Sequence, residues 1–400
     1  MQTVMHGRPQ AIYAVIETTP GTLAYPTASD ALFPTGDMSI RQVPQFQEDV
    51  ERLPTWSRTR RVLVSAQPGE ASFVVALKPV SAGTPPRVGK LLRGLLGVET
   101  VTAGTKVEYT PHGPNADLPT LSIAARIGQI VYWLEGCLVN QATFNIRPNE
   151  IVQGEFSVVF KRAVWVATTT VKTAVSGGAG GASITTIDVN EPQNARVGGR
   201  FYFDVATTVV TNPDNGGQGF LITGISGNTW TFTPAANVAA GQTLTAGTPV
   251  RPFVPSPTDA GDLIPWRQGK LNETPQGGVA ADIPVTGGSI RINNNVELLF
   301  EKFDTLYPTA RVRGVREVYV ELEMLLLNER ARYLADPWNE LSYSLLVPAG
   351  TTAGRIIEFS FPKLATREVE HTFGVEALRI TRRFVALAST ADNEVKITFR

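Results

Sequence analysis

The sequence predicts an all-β protein. It is read as two tandem repeats of a β-sandwich or partial barrel, each with one short flanking helix, and a small all-β domain (immunoglobulin-like or small-barrel) inserted between them. Three observations predict this. Segments with apolar residues at every second position recur along the chain, the N-terminal part is echoed near the C-terminus, and a stretch of different composition separates the two copies.

The strand signals are the most numerous. Residues 71–78, 154–160, 317–324, 356–361, 376–385 and 394–399 alternate or run apolar. They are rich in β-branched and aromatic residues and are bounded by Gly, Pro, Asn or Asp. Helix is scarce. Residues 86–96 place apolar residues at helical spacing with basic residues between them, and residues 328–335 form a second candidate that Pro337 stops.

The echo links the two ends. Ser39-Ile40-Arg41 returns as Ser289-Ile290-Arg291, 250 residues on (289 − 39), and each triplet leads into a long stretch of mixed charge. Residues 73–78 then answer to 318–323, the candidate helix 87–96 to 328–335, Gly128 to Gly354, Leu138 to Leu364, and 151–160 to 377–386. A duplicated unit of this size points to quasi-symmetric assembly rather than to an enzyme with one asymmetric cleft.

Between the copies, residues 164–251 hold few charges and many Gly, Thr, Ala and Val, with a glycine-rich run at 176–182 and a proline-rich one at 249–257. Short strand candidates at 183–188, 200–204, 219–223 and 229–233 are separated by turn signals such as Asp214-Asn215-Gly216. This reads as a domain inserted at a tolerant surface site, with a flexible and a stiff link at its ends. The expected boundaries are 1–165 for the first repeat and its N-terminal arm, 166–264 for the insertion, and 265–400 for the second repeat.

Composition narrows the function. The 400 residues exceed one ordinary core. With 36 basic and 36 acidic residues the formal net charge is zero, which argues against a dedicated nucleic-acid binder and favours self-association. The single cysteine, Cys137, permits neither an internal disulfide nor a cysteine-rich metal site. The opening residues lack the pattern of a secretory signal, and the apolar runs at 92–98 and 324–327 are too short to cross a bilayer. The expectation is assembly in the cytoplasm without membrane insertion.

Signatures of catalysis are missing from the pattern. His6, His112 and His371 lie far apart, with no HxxxH, HxH, GxSxG or CxxC, and read as structural or solvent histidines. The glycine-rich run lacks the lysine and following helix of a phosphate cradle and reads as a linker. Asp282, Asp304 and Asp336 fit no metal loop. No catalytic, cofactor-binding or metal residue is assigned, and no cofactor is expected.

Two segments carry the functional expectation. Residues 44–61 contain Phe46, Leu53 and Trp56, and residues 295–311 contain Leu299, Phe303, Leu306 and Tyr307. The plain alternative is a hairpin loop, but loops of this length are uncommon in compact domains unless they function. Exposed aromatics dominate interface energy, so both segments are assigned as projecting arms that dock on neighbouring subunits. Arg58, Arg60 and Arg61 follow Glu48, Asp49 and Glu51, and Arg311 is their counterpart. That balance favours salt bridges between subunits over contact with phosphate.

Ile16-Glu17-Thr18-Thr19-Pro20-Gly21-Thr22, followed by residues 34–40, is similar to the N-terminal arm of tail tube proteins of long-tailed bacteriophages. The resemblance covers both repeats, which would then be tail-tube-type domains. It implies β-sandwiches with a flanking helix and a projecting hairpin loop, stacked as rings into a hollow tube through which double-stranded DNA leaves the capsid. Proteins of this kind ordinarily carry one tube domain and form six-membered rings. Two copies in one chain imply the major tube subunit of a siphovirus-like tail, with three chains closing a pseudo-sixfold ring and the insertion decorating its outside. The implied partners are the chain itself, within and between rings, the tail terminator, tail tip and tape measure proteins, and double-stranded DNA in non-specific passage. The implied location is the virion tail, assembled in the host cytoplasm. Two other classes compete. An adhesin built of β modules would need an aromatic sugar platform, and a β-sandwich hydrolase would need paired carboxylates or a triad; neither pattern is visible.

Overall fold

The computed structural model describes residues 9–42, 44–48, 62–67, 69–113, 116–212, 219–266, 270–276, 278–300, 307–308, 310–326, 333–338, 341–373, 378–390 and 392–400. As the alternation predicts, strands dominate. The N-terminal series is β1 (Pro9–Ile16), β2 (Ala31–Leu32), β3 (Pro34–Gln42), β4 (Gln45–Glu48), β5 (Val62–Ala66), β6 (Gly69–Ala76), the helix α1 (Gly89–Leu96), β7 (Gly97–Thr102), β8 (Lys106–Pro111), β9 (Leu121–Ile127), β10 (Ile130–Ile146), β11 (Gln153–Phe160) and β12 (Arg162–Ala167). A middle series follows: β13 (Thr169–Thr170), β14 (Val175–Ser176), β15 (Ala182–Asp188), β16 (Arg200–Phe203), β17 (Val210–Thr211), β18 (Phe220–Ser226), β19 (Thr229–Val238), β20 (Thr243–Leu244) and β21 (Pro249–Pro252). The C-terminal series is β22 (Asn272–Pro275), β23 (Ala281–Asp282), β24 (Val285–Asn293), β25 (Val296–Leu299), β26 (Ala310–Arg313), β27 (Glu317–Leu325), β28 (Ser342–Ala349), β29 (Ile357–Phe373), β30 (Leu378–Ala386) and β31 (Lys396–Phe399).

The chain divides into two compact units. One holds Met1–Asp37, Leu121–Cys137 and Phe160–Asp259; the other holds Met38–Thr120, Leu138–Val159 and Ala260–Arg400. In the first, β2, β1, β9, the first half of β10 and β12 pair antiparallel in that order. Tyr13, Ala124, Val131, Trp133 and Val164 form the core beneath them. The Glu17 motif has a structural role in this unit. Its buried carboxylate accepts hydrogen bonds from Gly21 N (2.7 Å), Ser122 Oγ (2.8 Å) and Gly136 N (2.7 Å). Gly21 sits at φ +73°, a conformation that favours glycine, so the acidic residue and the glycine four positions on form one built turn.

The middle series has its own sheet, in the order β13-β21-β16-β18-β19-β15 with β17 also on β19. Alternate residues point inward, and the Phe201 ring lies 5.3–5.5 Å from Phe203, Phe220, Trp230 and Phe232. The glycine-rich run read from sequence as a linker is instead folded into this sheet region between β14 and β15. Gly177 N donates to Gln242 O (2.9 Å) and Gly241 N to Gly178 O (2.7 Å), while Gly178 and Gly181 adopt positive φ. Its glycines serve a tight turn rather than a hinge.

In the second unit eight strands follow one another as β3-β6-β11-β10-β24-β27-β30-β29, with the second half of β10 and of β29 taking part. One face is apolar and buried, with Phe73, Phe156, Val158, Phe144, Ile290, Ile292, Val320, Leu322 and Ile380 on it. Glu70, Glu155, Thr143, Arg291, Glu321 and Arg383 occupy the opposite, polar face. A smaller antiparallel sheet runs β23-β22-β28-β29-β31-β8-β7, using the first half of β29.

The pairings of the two series correspond. β1–β2, β1–β9, β9–β10, β10–β12, β10–β11, β11–β6 and β6–β3 are matched in turn by β22–β23, β22–β28, β28–β29, β29–β31, β29–β30, β30–β27 and β27–β24. β10 and β29 are both 17 residues long. The contacts also correct the alignment of β6 with β27. Phe73 stacks on Phe156, and Leu322 stands opposite Arg382, which equates Phe73 with Leu322 (322 − 73 = 249) rather than with Val318. The helix at 87–96 is found at Gly89–Leu96, where Leu91, Leu92, Leu95 and Leu96 are buried. Most of the second candidate, 328–335, lies outside the described residues, of which Tyr333, Leu334 and Ala335 form a 3-10 turn.

Where the N-terminal series buries Phe156, the C-terminal one buries a charge. Arg382 is fully enclosed, 2.8 Å from Glu273 and 2.8 Å from Asp336, and its guanidinium stacks 3.9 Å from the Tyr333 ring. Tyr333 Oη donates to Glu273 at 2.8 Å. Replacing Arg382 by Met leaves two buried carboxylates without their cation, and should lower unfolding stability by about 3–5 kcal/mol, read from the midpoint of urea denaturation.

Candidate functional site: sheet edges and projecting ribbons

The two strand series join edge to edge at a seam. β10 pairs with β24 antiparallel, from Gln141↔Asn293 through Thr143↔Arg291 to Ile146↔Gly288. Arg291 donates across it to Gln141 Oε1 at 2.8 Å. At the end of the seam Asn294 is fully buried. Its Nδ2 donates to Val139 O (3.0 Å) and to Leu95 O (2.9 Å), one of the carbonyls the C-terminal turn of α1 leaves open. Its Oδ1 accepts from Arg316 Nε (3.2 Å), whose guanidinium pairs with Glu394 at 2.8 Å. Val296 N donates to Asn140 Oδ1 at 2.7 Å.

A second contact reinforces the first. β8 pairs with β31, Tyr109 meets the Phe399 ring edge-on, and Glu108 is shared by Lys106 (3.0 Å) and Lys396 (3.1 Å). Burial pushes the Glu108 carboxyl up, but the hydrogen bonds from the two lysines outweigh it and hold the group below the ordinary carboxylate range. This contact therefore stabilises the fold above that range and is lost as the pH falls through the lowered value.

The strands equivalent to the seam partners lie at the outer edges of the eight-stranded sheet. β24 corresponds to β3, which among the described residues pairs with β6 alone; β10 corresponds to β29, whose second half pairs with β30. Among the described residues no pairing joins β3 to β29. Near the β29 edge Arg383 is bound to Glu321 (2.9 Å), Glu368 (2.9 Å) and Glu370 (3.1 Å). Its pKa is raised, first by the hydrogen bonds to Glu321 and Glu368.

Each edge system carries a two-stranded ribbon in the same place. β4 pairs with β5 between β3 and β6, and β25 pairs with β26 between β24 and β27. These are the bases of the two segments the sequence marks as arms. Phe46 lies on β4 and is 59% exposed, while Leu299 on β25 and Tyr307 are half-buried. Arg311 on β26 is 3.3 Å from Asp117 of the same chain. Leu53, Trp56, Arg58, Arg60, Arg61, Phe303 and Leu306 lie outside the described residues. Reading the sequence missed the edge strands and the Asn294 latch, although Ser39-Ile40-Arg41 and Ser289-Ile290-Arg291 mark the strands concerned.

The remaining titratable groups are structural in their surroundings. Cys137 is buried, which pushes its thiol well up, and its Sγ contacts Leu134 O. His112 is buried with Nδ1 2.6 Å from Gly113 O. Desolvation raises the pKa of Glu135 despite Arg162 at 3.2 Å and Lys161 at 3.9 Å. Among the described residues no three His, Cys, Asp or Glu side chains are placed to hold a metal, and no helix is long and apolar enough to cross a membrane.

A protein of paired antiparallel sheets with two ribbons belongs to the all-β class. A family model described as phage tail tube protein matches residues 7–212, more than half of the chain. The chain therefore belongs to the phage tail tube protein family and is a structural component of the virion tail. Membership implies self-assembly into a tube and association with other tail components. No curated protein matches the chain.

The seam depends on its buried amide. Asn294→Ala leaves the Leu95 and Val139 carbonyls without their donor, and should cost about 2 kcal/mol or more in chemical denaturation while the far-ultraviolet spectrum is kept.

Proposed function

We propose that this chain is the major subunit of a tail tube, that it carries two fused tube domains, and that three chains close a ring of pseudo-sixfold symmetry. Stacked rings form the hollow conduit for DNA ejection. The observation that carries the reading is the β10–β24 seam: the chain already contains one junction between its two strand series, and the outermost strands of the sheet are the counterparts of the two strands that make it. A heterologous contact of that kind closes into a ring when the rotation permits, and closure removes the exposed strand edges. Three sheets of eight strands give twenty-four (3 × 8). Barrels of about sixteen to eighteen strands already enclose an aqueous channel, so this one would leave a wide lumen.

The polar face of the sheet suits such a lumen. Glu70, Glu155, Glu317, Glu321, Glu323, Glu368 and Glu370 outnumber Arg41, Arg291, Arg379 and Arg383 there. A surface with excess carboxylate lets a phosphate backbone pass without holding it. The ribbons would serve axial stacking, with Phe46, Leu53 and Trp56 on one arm and Leu299, Phe303, Leu306 and Tyr307 on the other inserted against the next ring. Arg58, Arg60, Arg61 and Arg311 would add charge pairing at that contact. The tail terminator, tail tip and tape measure proteins would meet the ends and the bore of this tube, which assembles in the host cytoplasm. The insertion, expected at 166–264 between repeats at 1–165 and 265–400, would decorate the outside.

Electron microscopy of the purified protein tests the reading. Hollow rings or tubes are the expected outcome, and discrete monomers at every concentration would overturn it. Phe46→Ser combined with Trp56→Ser should abolish stacking while the circular dichroism spectrum stays that of the folded chain; normal tubes would contradict the role given to the arms. Thr170 and Pro249 are direct partners across β13 and β21, so excising residues 170–249 leaves chain ends that a short flexible linker can join. Tubes of reduced outer diameter are expected from that deletion, and insoluble or tube-less protein would count against the insertion as decoration.

A further inference from the structure

Resting on the ring reading above, we propose that successive chains join through a charge-clasped seam in a fixed register. The second half of β29 on one chain pairs antiparallel with β3 of the next copy, and Arg41 of the incoming strand is gripped by Glu368 and Glu370.

The internal seam supplies the template. β10 and β29 are equal in length, and each breaks its register against the neighbouring strand at the corresponding point, between Val139 and Gln141 and between Thr366 and Glu368. That equates Gln141 with Glu368 and Thr143 with Glu370 (368 − 141 = 227). On the other side Arg291 equates with Arg41 (291 − 41 = 250). The internal pair Thr143↔Arg291 then becomes Glu370↔Arg41, and Ala142↔Ile292 becomes Val369↔Gln42. Across the internal seam the Arg291 guanidinium reaches the Gln141 amide oxygen at 2.8 Å. In the transferred register Arg41 reaches a carboxylate, that of Glu368, in place of the amide.

The charges at the β29 edge fit this partner. Glu321, Glu368 and Glu370 are three carboxylates on the single guanidinium of Arg383, so the cluster retains capacity for a second cation. Arg41 is exposed on the polar face of β3, the face on which Ser39 contacts Ser72. β29 against β29 sets carboxylates together, whereas β29 against β3 sets them opposite Arg41. The clasp thereby selects head-to-tail joining. The latch of the internal seam is not repeated, since Asn294 is matched by Pro44 and the unpaired bulge residue Asn140 by Arg367. Opposite charge between chains takes the place of the buried amide within one chain, which makes joining sensitive to salt.

The test uses the full chain and reads ring formation by sedimentation and electron microscopy. Arg41→Glu should raise the concentration needed for rings at least tenfold. Glu368→Gln with Glu370→Gln, which leaves Glu321 as the carboxylate partner of Arg383, should raise it several-fold and flatten its dependence on salt. Independently of charge, Gln42→Cys with Val369→Cys should yield chain-to-chain disulfides under mild oxidation, since both positions lie off the polar face. Wild-type rings with neither cross-link nor charge effect overturn the seam and leave the ring reading standing. Cross-links with no effect of Arg41→Glu overturn the clasp. A wild type that forms no rings at any concentration overturns both.

Discussion

A β-sheet edge must find a partner, and the pairing of β10 with β24 is where this chain satisfies that requirement internally. The pairing joins two four-strand groups into one eight-stranded sheet with a continuous apolar face, and it leaves β3 and β29 as outer strands of the same kinds. The outer strands therefore correspond to the two strands of the contact made inside the chain, which is what the proposed ring would repeat between chains.

The two copies of the fold are not equivalent in how they are fastened. The helix α1 is followed by the β7–β8 hairpin, which pairs with β31, whereas β28 begins only seven residues after Ala335 (342 − 335), too soon for such a hairpin. Asn294, Arg316 and Glu394 lock the internal seam in a buried network. Buried hydrogen bonds of this kind suit a permanent junction, because breaking any one strands its partners. Exposed charge suits a junction that must form between separate chains and reject wrong partners. The cores differ as well: Phe156 packs on Phe73 and Phe144 in one series, and Arg382 binds Glu273 and Asp336 in the other.

Much of this was legible in the sequence. Period-two alternation marked β6, β11, β27, β29 and β30, because each has one buried and one wet face. The Ser-Ile-Arg triplets marked the equivalent strands β3 and β24. Composition separated out the middle series, whose dense aromatic core needs few charges. The rest required three dimensions. Glycine clusters look alike whether they hinge or turn, so the run at 176–182 was misread. The offset between β6 and β27 was misjudged because alternating strands slide by even steps without changing which residues face inward. Arg382 and its partners are 46 and 109 residues apart in sequence, and no local pattern announces a buried ion triad. The Asn294 latch likewise draws on residues 95, 139 and 316.

In the proposed assembly the internal seam is the template for the ring. The mass of a single ring layer, measured by native mass spectrometry of rings released from purified tubes, tests it most directly. Three chains per layer, carrying six copies of the fold, are expected if the seam is repeated between chains. Six chains per layer would mean that the second copy does not enter the ring as the equivalent of the first, and would contradict it.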